Sequence, residues 1–390
     1  MGVQPSPSGM TRNDRVRWIV ATIALGAGCA GEPADAEIAV GYGQGNAPNS
    51  ITVAAEAIAA AHRPADPRIR LTVDQRPGAK SVTLSLSDEV EHATRVVANT
   101  RVMIAVGPGG SREALQAAPI YRDAGVAELL PSATSRLLRT AGSWTFRLAP
   151  DDSVQGEFIG RFVAEQLHGR AVMLFYVADE YGLGLSAGTA AALAQRGVHV
   201  VDQIPVRPNK RCEPASRTNA YENQVAASLK RGTPDVAIVA GRGWETACIA
   251  RAAHARVPAA RFVGGDGVNV TREFLAAAGP AADSMFLVAF WHPDRDDGTS
   301  RAFVANFRRL VGRSPQHGDA TWYDAVMLAA QAIREVGADR VAIRSYLQSL
   351  GRTRPAYAGV TGPIAFTPEA SRPLVMTRPH GTETILIPVR

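Results

Sequence analysis

From residue 37 onward, short runs of β-branched and small apolar residues alternate with longer stretches whose apolar positions recur at helical spacing. The runs "EIAVGY", "RIRLTV", "RVMIAVG" and "VAELLP" read as buried strands, each followed by a mixed segment long enough for a helix. The spacing predicts a helix from Ser87 to Asn99 with Val90, Ala93 and Val97 on one face. A second helix opens at Ser111, with the serine hydroxyl as N-cap and Glu113 in its first turn. Strand, helix and strand in repeated succession specify a parallel sheet with crossover helices. The rhythm breaks at Pro150 in "TFRLAPDDSVQG" and restarts with "RAVMLFYV", "VHVVDQIPV", "PDVAIVAG" and "ARFVGGDG", so a second α/β unit follows the first. After "SMFLVAFW", helical stretches from Arg301 to Leu310, Trp322 to Val336 and Val341 to Leu350 run without strands between them. They fit a chain that returns to its first unit and finishes in the second with "TGPIAFT" and "ETILIPV".

A length of 390 residues is too great for one ordinary core and suits two domains. With 46% apolar and 20% charged residues the composition is that of a globular protein. The formal charge of +6 is carried almost wholly by arginine, beside Lys80, Lys210 and Lys230 alone. These charges are interleaved with acids and form no basic run with stacking aromatics, which argues against a nucleic-acid partner. Near the N-terminus Arg12, Arg15 and Arg17 precede "WIVATIALGAG", a run of signal-peptide length that is too short to span a bilayer. Export is therefore expected. The run ends at Cys29 in "LGAGCAGE", which resembles a bacterial lipobox except that its leucine stands four residues before the cysteine instead of three. Lipidation of Cys29 is one reading and secretion after a nearby cleavage the other. Two further cysteines, Cys212 and Cys248, would then meet an oxidising compartment, either bridged or as separate buried thiols.

The candidate chemistry lies in the loops that leave the strands, because ligands of open α/β sheets bind beyond the carboxyl ends of strands. "VGPGGSREAL" offers freed backbone N–H groups and the Ser111 hydroxyl at a helix start, a setting for an anion. A phosphate loop would need Lys and then Ser or Thr after the glycines, and Arg112 and Glu113 follow Ser111 instead. The glycines of "GYGQGN" are wrongly spaced for a dinucleotide fingerprint. In "LLPSATSRLL", Ser132 and Thr134 exit a strand on the same rim. "ADEYGLG" and "GGDGV" put Tyr181 and Asp266 at strand exits of the second unit. Together these loops can hold a carboxylate at one end and an ammonium at the other.

The order and spacing of "VGPGGSREALQAAPIYRDAGVAELLPSATS", "FRLAPDDSVQG", "ADEYGLGL", "FVGGDGV", "WYDAVMLAAQAI" and "GVTGPIAFTPE" resemble the type I periplasmic-binding-protein superfamily. Within it, the chain is most similar to the leucine/isoleucine/valine-binding proteins of ABC importers. The resemblance implies a two-lobed α/β flytrap, each lobe a mainly parallel sheet flanked by helices. Three hinge crossings are expected, near Arg147 to Pro150, Phe286 to Trp291 and Ala358 to Gly362. The expected organisation is a signal peptide over 1–28, a linker over 29–36, lobe one over 37–148 plus 290–357, and lobe two over 149–289 plus 358–390. Ser111 and Thr134 would hold the ligand carboxylate, the backbone around Ser132 and Ala133 and the Asp266 carboxylate would take the ammonium, and Tyr181 would close from the other lobe.

Three positions depart from the leucine-binding pattern. The loop "GYGQGNAPNS" is short, which leaves a contact from Tyr42 in doubt. Arg242 in "AGRGWE" stands where relatives often carry an aromatic, and either recognises an extra acid on the ligand or points to solvent. A pocket aromatic is also missing near His317 and Gly318. The resemblance implies capture of an amino acid or related zwitterion for ABC permease subunits with no cofactor. The residues themselves add a lipid anchor or secretion, a monomer because no repeated apolar stripe argues for assembly, and no metal because the eight histidines are dispersed. A sensor of the same fold is the alternative. A serine hydrolase using Ser186 in "GLSAG" is a distant one, because that serine falls inside a helix and not on the turn directly after a strand.

Overall fold

Parallel strands covered by helices on both faces are buried along their whole length and mostly apolar, and two segments of the first unit have that character, with Glu37 the one charged residue among them. In a computed structural model that describes residues 36–41, 47–64, 66–73, 86–208, 221–367 and 372–389, they are β1 (Ala36–Val40) and β3 (Val102–Val106). Both are buried along their whole length. Around them the first sheet has the order β2-β1-β3-β4-β5, all parallel, with β2 at Ile69–Val73, β4 at Ala127–Leu130 and β5 at Thr145–Arg147. The β2 strand was expected to be buried. It is an edge strand, so Arg70 and Thr72 face solvent.

The crossover helices are α1 (Ala47–Ala60), α2 (Leu86–Ala98) and α3 (Ser111–Asp123). On α2 the buried face is Glu89, His92, Ala93 and Val96, whereas Val90 is 38% exposed. The expected face was thus rotated by one residue, since Val90 was read as apolar and therefore inward.

The second sheet runs β6 (Ala171–Val177), β7 (His199–Val206), β8 (Val236–Ala240), β9 (Arg261–Gly264) and β10 (Met285–Ala289) in the spatial order β10-β9-β8-β6-β7. Helices α4 (Asp152–Arg161), α5 (Glu180–Gln195), α6 (Glu222–Leu229), α7 (Gly243–His254) and α8 (Arg272–Ala278) connect them. A terminal hairpin, β13 (Val375–His380) and β14 (Glu383–Ile387), extends the β10 edge antiparallel. Between these elements the chain returns to the first lobe through α9 (Gly298–Val311), α10 (His317–Val336) and α11 (Arg340–Ser349). There Trp322, Val326, Ile333 and Leu347 join Ile38, Ile104 and Leu129 in one core.

The chain passes between lobes first after Arg147, where Asp151 caps α4 by accepting from the Ser153 and Val154 amides. It returns after Ala289, since Trp291 already packs with Val53 and Phe303 of the first lobe. The third passage corrects an expectation. The small hairpin β11 (Tyr357–Gly359) and β12 (Gly362–Ile364) belongs to the first lobe, with Ile364 in its core and Phe366 edge-on to Phe146 at 5.0 Å. The passage therefore follows Phe366 and not Ala358, and "TGPIAFT" does not join the second sheet. Asp324 of α10 explains this, for its carboxylate accepts from the Val360 amide at 2.7 Å, the Thr361 amide at 2.8 Å and the Thr361 hydroxyl at 2.6 Å.

Cys248 is fully buried and disulfide-bonded. Cys29, Cys212, the N-terminal apolar run and Tyr42 lie outside the described residues. Among the described residues no helix is long and apolar enough to cross a membrane. Asp324→Ala should lower stability by about 3–5 kcal/mol, because the Val360 and Thr361 amides would be left buried without their acceptor and the Arg372 guanidinium without its nearby countercharge. Chemical denaturation checks this, with a change under 1 kcal/mol counting against the anchor.

Candidate functional site

On the first lobe, the strand β3 ends in a turn that admits no side chain at its first residue. Gly107 has φ +97°, and a Cβ there would lie 2.9 Å from the Gly41 carbonyl and 3.0 Å from the Trp322 ring. The turn delivers Gly110 as the N-cap of α3, in extended conformation and without a side-chain cap. Ser111 is consequently the first helical residue and not the cap that its sequence position suggested. Its hydroxyl accepts from the Thr134 amide at 3.2 Å and the Ser135 amide at 3.1 Å. A serine oxygen has two lone pairs and one proton. With both lone pairs engaged, the proton is what Ser111 can offer to an acceptor, next to the unpaired N–H groups at the start of α3. Ser132 ties the two loops together by donating to the Gly109 carbonyl at 3.1 Å.

On the second lobe, Tyr181 is the second residue of α5, whose cap is Asp179. The Tyr181 hydroxyl donates to Asp266 Oδ1 at 3.0 Å and accepts from the Gly267 amide at 3.1 Å, which fixes the carboxylate. Gly265 permits this approach, as a Cβ there would stand 2.6 Å from the phenol oxygen. Burial pushes the Asp266 carboxyl up to about 6, against the lowering effect of the Tyr181 hydrogen bond. Asp152, the first residue of α4, is raised further, to about 8, by burial and by repulsion from Asp266 and Asp151.

Of the two expected places for Arg242 the structure excludes open solvent, since its side chain lines the cleft and is paired within its own lobe. Its Nη1 donates to Asp179 Oδ2 at 2.7 Å and its guanidinium lies 5.5 Å from the Tyr181 ring centroid. It is neither a free cation nor a solvated one. Ser186 lies within α5, buried, and donates to the Leu183 carbonyl at 3.1 Å, a helical geometry that presents no nucleophile at a turn.

The two lobes face one another across a cleft with ≈ 90 Å³ of free volume, several times the 10–15 Å³ a single water requires. Ser111 and Ser132 line it from the first lobe and Tyr181, Arg242 and Asp266 from the second. Ala133 and Thr134 are fully buried and do not line it. Thr134 stands behind Ser111 and holds its hydroxyl, while its carbonyl accepts from the Asp152 amide at 2.9 Å. The sequence reading gave no role to Asp152, Asp179, Asn269 or Trp322. The cap position of Asp179 was legible, but its pairing with Arg242 joins elements far apart in the chain. The lobes are bridged by Gln316, whose amide nitrogen donates to the Val270 carbonyl at 2.7 Å while its oxygen accepts from the Val270 amide at 2.9 Å. Arg112 and Glu180 add an ion pair at 3.0 Å across the rim. Among the described residues no group of His, Cys, Asp and Glu is placed to hold a metal ion.

Residues 87–377 match the family model described as periplasmic binding protein. The chain belongs to that family. It is of the type I, leucine/isoleucine/valine-binding-like kind, and the family's members bind substrates and are not enzymes. An amino acid binding protein of Pseudomonas aeruginosa is 25% identical over 63% of this chain and 64% of its own length. The chain thus spans just under two thirds of the curated relatives it matches. Among solved structures, the leucine-binding protein LivK of Thermotoga maritima superposes with a TM-score of 0.78 at 21% identity, covering 90% of this chain and 98% of that one. The branched-chain amino acid binding protein LivJ of Streptococcus pneumoniae, solved with isoleucine, gives 0.75 at 20% identity over 90% and 99%. Both share the two-lobed α/β fold.

The buried acid of this binding protein makes a pH prediction. Because the Asp152 carboxyl titrates near 8 when folded and near 3.8 otherwise, the folded chain keeps a proton that the unfolded chain releases between those values. Stability then falls as pH rises through that window. Asp152→Asn should flatten the decline, so that the variant gains melting temperature over the parent at pH 8.5 relative to pH 4.5. Parallel calorimetric curves would contradict the assignment.

Proposed function

We propose that this binding protein captures an amino acid or a closely related small zwitterion between its lobes outside the cytoplasm and delivers it to an ABC importer. One observation carries the reading: the Ser111 hydroxyl at the start of α3 and the Asp266 carboxylate on the opposite lobe line the same cleft. The first suits a carboxylate, through a donated proton and the positive end of a helix. The second suits an ammonium, with Tyr181 fixing its orientation. A ligand that touches both lobes stabilises the closed arrangement by contacts the open one lacks, and closure is what a membrane partner can read. The relatives named as amino acid binding proteins support the ligand class. The basic and apolar N-terminal segment with Cys29 supports export with a lipid anchor, and permease subunits are the partners this implies. The protein acts as a monomer in this reading.

Thermal-shift screening against a panel of amino acids tests the proposal, since a ligand that binds only the native state raises its melting temperature. No shift across the panel would refute it. Asp266→Ala should cost about 2–5 kcal/mol of affinity in a calorimetric titration, because the ligand ammonium would be buried unpaired. Affinity should also depend on pH in a stated direction. Binding requires ionised Asp266, which titrates near 6 in the closed cleft. Affinity is therefore level above pH 7 and falls as pH drops through 6, with a proton released on binding in that range. Equal affinity at pH 5 and pH 7.5 would remove Asp266 from the ammonium site.

A further inference from the structure

With the carboxylate assigned to Ser111 and the ammonium to Asp266, the walls that remain for the ligand's side chain are Arg242, Asn269, His317, Gly318 and Trp322. Their charges can be counted. Arg242 is already neutralised by Asp179 at 2.7 Å, and its position over the Tyr181 ring holds the guanidinium in place. His317 is uncharged, because burial pulls the imidazole down to about 4. Asp266 is consumed by the ammonium. A side-chain carboxylate would therefore find no unpaired cation in this cleft, and a side-chain ammonium no unpaired anion.

The same walls are poorly suited to a hydrocarbon. His317 opens α10 at the border between the cleft and a small cavity beneath it, and lines both. Its ring is held edge-on to Phe290 at 5.4 Å, with the Val268 backbone engaging one nitrogen as donor and the other nitrogen left without a hydrogen-bond partner among the described residues. A neutral imidazole carries one N–H donor and one lone pair. Arg242 spends Nη1 on Asp179 and keeps further N–H donors in its fork. An aliphatic side chain would close the cleft over these groups without satisfying them, and an unmet buried polar group costs more than a made hydrogen bond gains.

We infer that the ligand's side chain is polar and uncharged, a carboxamide or a hydroxyl, read by His317 and Arg242. A carboxamide matches best, since its oxygen accepts from the guanidinium while its NH₂ donates to the imidazole lone pair. This rests on the amino-acid reading above and narrows it away from the branched aliphatic ligands.

Titration calorimetry of the full chain with glutamine, asparagine, threonine, leucine, valine and glutamate at pH 7.5 tests it. At least one carboxamide or hydroxyl amino acid should bind about 100-fold more tightly than leucine, valine or glutamate, as expected of a site built to hydrogen-bond its substrate. His317→Phe should reduce that preference about tenfold or more, chiefly by weakening the polar ligand. Leucine or valine binding more tightly than every polar ligand would overturn the inference and leave the amino-acid function standing. Tightest binding of glutamate would overturn it in the other direction, showing Arg242 to act as a free cation. An unchanged preference in a folded His317→Phe protein would remove His317 from the readout. Should that variant not fold, the comparison on the parent protein decides alone. Failure of every amino acid to bind a folded parent would sink both the inference and the proposed function.

Discussion

Asp266 is a carboxylate buried to 7% exposure whose own lobe supplies a phenol, itself held by the Gly267 amide, but no cation of its own, since the nearby Arg242 is bonded to Asp179. A charge in that state is costly, and it is relieved by proton uptake or by a positive ligand group. The rest of the site is organised around this condition. Tyr181 reaches Asp266 only because Gly265 leaves room, and Asp152 lies close enough to share the electrostatic penalty. On the facing lobe the balance is reversed, with a helix start and a serine whose lone pairs are spent. Neither half is complete alone, and the two-lobed fold is what brings them to one cleft.

The passages between lobes explain how such halves can separate and meet. The first and second are single crossings from a strand of one sheet into the elements of the other lobe. The third is delayed by the hairpin that Asp324 fastens to α10, so it falls beyond Phe366. Across the cleft the link between Gln316 and Val270 and the pair of Arg112 and Glu180 join lobe to lobe without any ligand contact. A bound zwitterion adds its energy to that existing closure.

Much of this was legible in the chain. Alternating β-branched runs and helical periods pointed to two successive, mainly parallel sheets, and the loops at the strand ends contained Ser111, Ser132, Tyr181, Arg242 and Asp266, all of which face the cleft. What the sequence concealed depends on contacts between distant elements. Ser111 reads as an N-cap by local rules, yet Gly110 takes that place because the glycine turn arrives one residue earlier. Thr134 and Ala133 read as rim residues but are covered by packing. Arg242 could not be judged without Asp179, sixty-three positions away, and the edge position of β2 could not be seen from its apolar residues alone.

The central claim is that the cleft grips both poles of one small molecule, one pole from each lobe. The most direct measurement is a competition titration that compares the tightest amino acid found with its deaminated acid and its decarboxylated amine. The account predicts that removal of either pole weakens binding by at least about thirty-fold, since one buried half-site is then left without its counterpart. Retention of affinity by either analogue would contradict it.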